Sequence, residues 1–146
     1  MQRVMVTGAG GYIGTTLVPM LLDQGYAVRA VDRFFFGHEL LKSHPDLEMV
    51  REDVRRLSVS DFAGVDAVID LAAISNDPSG ELFQDVTWAV NHRARVRCAE
   101  LAKQAGVKRY VLPSSCSIYG FQPDGVVANE ETATNPLTTY AKANEQ

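Results

Sequence analysis

The glycines near the amino terminus have a spacing that can bind a phosphate group. Gly8, Gly11 and Gly14 follow the apolar segment Arg3–Thr7 and open a segment with helical periodicity. In such a turn the first glycine allows a sharp bend, the second lets backbone N–H groups approach a pyrophosphate, and the third lets the helix pack closely on the strand. The helix dipole and the unpaired N–H groups then favour an anion. The spacing predicts a dinucleotide-binding turn.

A carboxylate stands at the end of the next apolar segment, Tyr26–Asp32. A carboxylate in this place accepts hydrogen bonds from both ribose hydroxyls and repels a 2′-phosphate, so Asp32 favours NAD over NADP. Arg33 follows directly, and its guanidinium could stack on adenine or bind a 2′-phosphate. We expect NAD as the cofactor, with NADP as the alternative that Arg33 permits and a simple turn role as the alternative for Asp32.

Short apolar segments alternate with longer ones along the chain. Strands without polar alternation are typical of a parallel sheet buried on both faces. Helices are predicted over residues 12–24, 86–105 and, from a weaker pattern, 38–42. The alternation predicts an α/β fold, a doubly wound parallel sheet of the Rossmann type, forming one NAD-binding domain over residues 1–146. The predicted strands are Arg3–Thr7, Tyr26–Asp32, Leu47–Glu52, Asp66–Leu71 and Arg109–Ser114.

The carboxyl-terminal segment Thr138–Gln146 has the composition of a helix start. A doubly wound sheet needs at least one further strand after such a helix. We therefore expect the last strands of the sheet and the substrate-binding portion to lie beyond residue 146.

Composition limits the classes of partner. The chain has 46% apolar residues and a net charge of −4, which is ordinary for a globular domain and argues against a nucleic-acid partner. No apolar run is long enough for a membrane span and no leader is apparent, so we expect no membrane association and a cytoplasmic location. Cys98 and Cys116 lack metal-ligand or disulfide spacing, so no metal site is predicted and both are expected to be reduced.

Motifs spread over the whole chain carry a family resemblance. The glycine motif at 7–14 is followed by an acidic-aliphatic pair at 52–54, a small-residue turn at 70–73 and a pattern at 105–120. Together they resemble the amino-terminal half of an extended short-chain dehydrogenase/reductase of the NAD-dependent nucleotide-sugar epimerase/dehydratase family. The resemblance implies cofactor contacts from Gly8, Gly11, Tyr12, Ile13, Gly14, Asp32, Arg33, Asp53, Val54, Leu71, Ala72, Ala73, Asn91 and Tyr140.

The same resemblance implies a reaction. Tyr140 matches the family tyrosine, whose phenolate removes a proton from a sugar hydroxyl while NAD takes the hydride from the same carbon. Ser115 matches the family serine or threonine that hydrogen-bonds the reacting oxygen. The implied activity is epimerisation of a nucleotide sugar through a transient keto intermediate, by a homodimer when the protein is full length.

One departure from the family pattern concerns the fourth residue after the tyrosine. The family has Tyr-x-x-x-Lys, and here Asn144 takes the lysine position while Lys142 lies about 200° around the helix from Tyr140. An ammonium beside the tyrosine favours the phenolate, and an amide cannot supply that charge. We predict that Asn144 hydrogen-bonds the nicotinamide ribose.

Two other functions stay open on these residues. Arg33 permits an NAD(P)H-dependent carbonyl reductase, and Asn144 permits a non-catalytic NAD-binding module. A sugar 4,6-dehydratase is not expected, because dehydratases of this family carry Asp-Glu directly after the catalytic Ser/Thr. Here Cys116 and Ser117 occupy those positions, and neither supplies a carboxylate.

Overall fold

The computed structural model describes all residues, Met1–Gln146, and is organised around a five-stranded parallel sheet. The strand order is β3-β2-β1-β4-β5, which confirms the predicted doubly wound α/β fold. Every neighbouring pair of strands is parallel, so the carboxyl ends of the strands meet at one edge. The strands are β1 (Arg3–Thr7), β2 (Ala27–Asp32), β3 (Leu47–Arg51), β4 (Ala67–Asp70) and β5 (Arg109–Val111).

Helices cover both faces of the sheet, and the side chains of β1 show why. Val4 and Val6 point to one face, where they pack with Val18 of the first helix, α1 (Gly14–Asp23). Met5 points to the opposite face and packs with Cys98 of a later helix, α4 (Arg95–Gln104). Because successive side chains of a strand alternate between faces, an uninterrupted apolar strand requires cover on both sides.

The remaining helices lie after β4 and at the end of the chain. They are α2 (Asp77–Leu82), α3 (Gln84–Trp88), a π-helical turn over Ala89–Ala94 that continues into α4, and α5 (Thr139–Glu145). Short 3-10 turns occupy Val54–Arg56, Val59–Phe62 and Cys116–Tyr119. None of the helices combines the length and the apolar character needed to cross a membrane.

The predicted helix over 86–105 exists, but it is not a regular α-helix. The π-helical turn inserts an extra residue per turn, a feature often found at functional sites. Asn91 lies inside this turn and is buried. The preceding helix α2 was not predicted; it begins after Asn76, whose side chain caps the Ser79 N–H at 2.9 Å.

Two element predictions were wrong in extent or existence. The segment 38–42 forms only a turn, with the Leu41 N–H donating to the His38 carbonyl at 3.1 Å. Gly37 precedes it at φ 89°, and so short a segment cannot offset the cost of helix nucleation. Strand β5 ends at Val111 instead of Ser114, since Pro113 has no N–H for the ladder.

Candidate active site

A cavity of about 780 Å³ opens at the carboxyl ends of the strands. It is lined by residues at the carboxyl ends of β1, β2, β3 and β4 and in the segments that follow them. The strand order changes direction between the neighbours β1 and β4. Open α/β sheets bind their ligands at such a point, and the volume suits a small molecule or cofactor. The predicted cofactor residues that line it are Gly8, Gly11, Tyr12, Ile13, Gly14, Asp32, Arg33, Asp53, Val54, Leu71, Ala72 and Ala73.

The close packing of the glycine turn explains two of its glycines. Gly8 has φ 68°, and a Cβ there would lie 2.7 Å from the backbone nitrogen of Ala72. A Cβ on Gly14 would lie 2.5 Å from the carbonyl oxygen of Ala9. Only glycine fits at either position, so the turn after β1 can approach the turn after β4 and α1 can start directly against β1.

The start of α1 presents free hydrogen-bond donors to the cavity. The backbone N–H groups of Tyr12, Ile13 and Gly14 donate to no acceptor within the protein, and no side chain caps the helix. All three residues line the cavity. Unpaired N–H groups at the positive end of a helix dipole suit an anionic pyrophosphate, so these residues fit the phosphates of a dinucleotide.

Asp32 is held rigidly at the end of β2. Its Oδ2 accepts the Gly10 N–H at 3.1 Å and its Oδ1 accepts the Phe34 N–H at 2.6 Å. Phe34 has φ 51°, rare for a residue with a side chain, while its ring is buried in the core. The two backbone donors leave acceptor lone pairs on the half-buried carboxylate, so Asp32 can also accept from ribose hydroxyls.

Arg33 and Asp53 form a charged wall beside Asp32. The Arg33 guanidinium carbon lies 4.1 Å from the centre of the Phe35 ring, and Arg33 Nη1 lies 3.4 Å from Asp53 Oδ2. Arg55 Nη2 is closer, at 2.6 Å from the same oxygen. The hydrogen bonds from Arg55 lower the pKa of Asp53 to about 2. Arg33 is therefore held between an aromatic ring and a carboxylate of the protein.

Asn91, a predicted cofactor contact, lies behind the wall of the cavity. Its Oδ1 accepts the Ile74 N–H at 2.8 Å and its Nδ2 donates to the Ile74 carbonyl at 2.9 Å. Ile74 itself lines the cavity. This pair of bonds lets Asn91 fix the wall of the cavity at Ile74, and it leaves one N–H and one lone pair of the amide for a further partner.

Tyr140 and Ser115 lie on neighbouring elements, outside the lining of that cavity. Tyr140 is half-buried on α5, and a Cβ on Gly80 of α2 would lie 3.2 Å from the Tyr140 Cβ. Ser115 caps the 3-10 turn Cys116–Tyr119 by accepting the Ser117 N–H at 3.2 Å. That turn packs against α5, so the two predicted catalytic residues are carried by elements in contact.

Asn144 is engaged by two protein groups. Its Nδ2 donates to the Tyr140 carbonyl at 2.8 Å, and its Oδ1 accepts from Nη1 of Arg95. Lys142 is exposed. Arg95 is a residue of the site that the sequence analysis does not predict. It lies four residues after Asn91, a spacing that places both on one side of a helix, and both are buried.

A buried polar cluster lies below this corner. Asp70 accepts the Thr7 hydroxyl and, at 2.6 Å, the Tyr110 hydroxyl. Burial and the Asp70 charge raise the pKa of Tyr110 well above its usual range. Burial raises the pKa of the Cys98 thiol to about 12, so this cysteine stays a protonated core residue. No group of three or more His, Cys, Asp or Glu side chains is placed to hold a metal ion.

Comparison with known proteins gives relatives of more than one activity. The chain is 35% identical over 122 residues to a 3 beta-hydroxysteroid dehydrogenase/Delta 5-->4-isomerase of Mycobacterium tuberculosis, covering 80% of this chain and 32% of that protein. It is 33% identical over 148 residues to a UDP-glucose 4-epimerase of Mycolicibacterium smegmatis, covering 96% and 47%. The chain therefore spans between a third and a half of the length of these relatives.

Solved structures agree with this relationship. A UDP-N-acetylglucosamine 4-epimerase of Methanobrevibacter ruminantium superimposes with a TM-score of 0.91 at 26% identity, over 99% of this chain and 47% of that one. A UDP-glucose 4-epimerase of Thermus thermophilus, in complex with NAD, gives 0.85 at 26% identity, over 98% and 47%. The family model for the NAD dependent epimerase/dehydratase family matches residues 4–144. On its glycine turn, its acidic β2 end and these matches, the chain belongs to the NAD-dependent epimerase/dehydratase family.

Proposed function

We propose that the whole protein is an NAD-dependent epimerase that acts on a nucleotide sugar through a transient keto intermediate. The observation that carries the proposal is the arrangement at the carboxyl edge of the sheet. There a cleft with free α1 donors and the Asp32 carboxylate lies on the same edge as the contacting elements of Ser115 and Tyr140. The relatives and structural neighbours named as UDP-sugar 4-epimerases support the substrate class.

In this proposal Tyr140 is the general base. Its phenolate oxygen takes the proton from a sugar hydroxyl, and the C–H electron pair of the same carbon leaves as hydride, so a ketone forms. Bound NAD would supply the acceptor for this hydride and, once reduced, the donor; return of the hydride to the opposite face of the ketone would give the epimer. Ser115 donates to the oxygen that changes from hydroxyl to carbonyl. The Tyr140 hydroxyl then returns its proton, and the net reaction is inversion at one carbon.

In this proposal different residues would bind different parts of the cofactor. The N–H groups of Tyr12, Ile13 and Gly14 would bind the pyrophosphate, and Asp32 would bind the adenosine ribose. Asp53 and Arg33, which also line the cleft, would lie beside the adenine. The pair of bonds from Asn91 keeps the Ile74 wall in place.

The test is an epimerase assay on the whole protein with UDP-glucose, UDP-galactose and their N-acetyl forms. The proposal expects interconversion of 4-epimers without build-up of NADH. Tyr140→Phe should lower kcat by about 10²- to 10⁴-fold, the usual range for loss of a general base, while NAD affinity is kept. Epimerisation that survives Tyr140→Phe would contradict the assigned base.

A second candidate is an NAD-dependent alcohol dehydrogenase or carbonyl reductase for a less polar substrate. The relative named as a hydroxysteroid dehydrogenase, at 35% identity, favours it. Epimerisation and alcohol oxidation both begin with removal of a proton from a hydroxyl and a hydride from the same carbon, so the cleft alone does not distinguish the two activities. Stoichiometric NADH formation with a hydroxysteroid, and none of the epimeric sugar, would decide for the dehydrogenase.

We further propose that the whole protein is a homodimer that pairs the outer faces of α4 and α5. Val96 is 44% exposed on α4, and the side chains of Glu100 on α4 and of Arg93 in the π-helical turn before it are also exposed. An exposed aliphatic residue among charges of both signs suits a symmetric helix pair. Light scattering should give a dimer mass, and Val96→Glu should give a monomer with an unchanged NAD site.

A further inference from the structure

Two exposed aromatic rings stand on the wall of the cavity at the carboxyl edge of the sheet. Phe35 and Phe36 come shortly after the end of β2, and both line the same cavity as Asp32. Phe35 is 69% exposed and Phe36 is 83% exposed. Aromatic surface that faces a ligand cavity is apolar area that a bound ligand can remove from water. The two rings therefore offer the cavity an apolar contact next to its carboxylate.

A tight turn holds the two rings in this place. The Gly37 N–H donates to the Phe34 carbonyl at 3.2 Å, so Phe35 and Phe36 are the central residues of a β-turn. The Phe34 ring is buried against the glycine turn, where a Cβ on Gly10 would lie 2.8 Å from Cδ1 of that ring. The Phe34 N–H also donates to the carboxylate at the end of β2, at 2.6 Å. These four residues, here called the aromatic turn, are thus anchored to both neighbouring parts of the cavity.

Arg33 supports one of the two rings from outside. Its guanidinium carbon lies 4.1 Å from the centre of the Phe35 ring, and Asp53 holds the same guanidinium at 3.4 Å. Phe35 therefore has a cation over one face and still leaves most of its surface exposed. A ring that is already held on one side loses little side-chain freedom when a ligand stacks on it. Phe36 has no aromatic or cationic partner of its own.

The part of a dinucleotide that reaches the aromatic turn is its adenine. Asp32, two residues before the turn, is the residue proposed to bind the adenosine ribose, which carries the adenine directly. Ser115 follows β5, and the strand order places β5 and β2 on opposite sides of β1. The reacting nicotinamide end therefore belongs to the other side of the cavity. Adenine is flat and has a π-face, which stacks on aromatic side chains.

We propose that the aromatic turn binds the adenine of NAD by stacking on Phe35 and Phe36. This inference deepens the proposed function, since it rests on the cofactor placement given there, but it does not depend on which reaction the protein catalyses. Stacking uses the face of the base and leaves its edge to other groups. The two rings therefore contribute affinity for adenine nucleotides in general, including those that lack nicotinamide.

The test is cofactor binding by the whole protein, freed of bound nucleotide, in isothermal calorimetry with NAD and with AMP. Phe35→Ala combined with Phe36→Ala should raise the Kd of both ligands by about 5- to 150-fold, the usual range for loss of base–aromatic stacking. Phe35→Tyr combined with Phe36→Tyr keeps both rings and should keep both Kd values near those of the parent. The matched control is Phe121→Ala, which removes a ring that is 86% exposed and lies outside the cavity lining. It should change neither Kd.

Several outcomes would overturn the inference. Unchanged Kd values for NAD and AMP in the folded double alanine variant would do so, also where light scattering shows that the two rings serve a protein interface. Nicotinamide mononucleotide lacks adenine and should bind that variant as it binds the parent, so an equal loss for this ligand and AMP would count against stacking. Should the double variant fail to unfold cooperatively in urea, Phe36→Ala alone decides in the same way. If no epimerase activity exists but the adenine ligands bind more weakly, the proposed function fails and the inference stands.

Discussion

Removal of the Asp32 charge should reduce the preference for NAD over NADP. A 2′-phosphate bound at the end of β2 would bring its negative charge close to the Asp32 carboxylate. Two unit charges 4 Å apart interact by about 4 kcal/mol at the effective dielectric of a protein surface. Asp32 is only half-buried and Arg33 lies beside it, so we take about half to three quarters of this value. About 2–3 kcal/mol corresponds to a discrimination of roughly 30- to 150-fold in Kd.

The variant that isolates the charge is Asp32→Asn. Its amide oxygen can still accept from one of the two N–H groups, those of Gly10 and Phe34, that now bind the carboxylate. Asp32→Ala leaves both N–H groups without this acceptor, which costs about 1–3 kcal/mol of unfolding free energy for each group that stays buried. It also removes the hydrogen bond that holds Phe34 at a φ of 51°. We expect both variants to narrow the NAD to NADP ratio and only Asp32→Ala to lose several kcal/mol of unfolding free energy.

Isothermal calorimetry with both cofactors, together with urea unfolding, measures the two effects separately. Arg33→Met in the Asp32→Asn background is the control for the neighbouring cation: it should weaken NADP binding if Arg33 holds a 2′-phosphate. An NAD to NADP ratio that stays the same in folded Asp32→Asn would refute the electrostatic argument. So would tighter binding of NADP than of NAD by the parent protein.

Three further outcomes follow from the structure. Gly8→Ala and Gly25→Ala both place a Cβ at positive φ, but only the Cβ at position 8 would collide with backbone atoms. Urea unfolding should show that Gly25→Ala loses about 1–2 kcal/mol of unfolding free energy and that Gly8→Ala loses about 1–3 kcal/mol more. Equal losses would contradict the close approach of the turn after β1 to the turn after β4. The hydrogen bonds from Arg55 lower the pKa of Asp53 from its usual 3.8 to about 2, so this interaction stabilises the fold fully above about pH 3.8 and is lost as the pH falls toward 2. Carboxyl NMR titration should show the Asp53 midpoint at higher pH in Arg55→Gln. No 4-keto-6-deoxy sugar should accumulate with a nucleotide hexose, since Cys116 and its neighbour supply no carboxylate, and chromatographic detection of that product would refute this.

The parts of the fold that could be predicted are those in which a local pattern and the tertiary structure demand the same thing. The first four predicted strands agree with the structure to within about one residue at each end. For β1, β2 and β4 the reason is burial on both faces, whereas β3 is a partly exposed edge strand. The glycine turn was readable for the same reason, since close backbone approach admits no side chain at Gly8 or Gly14. The prediction of β5 as far as Ser114 was too long, because Pro113 has no N–H for the strand ladder and the strand ends at Val111.

The side-chain partners of Asn91 and Asn144 could not be predicted, because these hydrogen bonds join segments far apart in the chain. The motif predicts Asn91 as a cofactor contact, and it does not show that the Asn91 amide also binds both backbone groups of Ile74 in the turn after β4. Nothing local to position 144 indicates that its amide meets a guanidinium from α4. The missing lysine and the buried arginine look like unrelated substitutions along the sequence, and only the packing of α5 against the π-helical turn makes them neighbours. The effect of Asn144 in place of the family lysine therefore depends on the groups that surround this position in space, and the tertiary packing sets those groups.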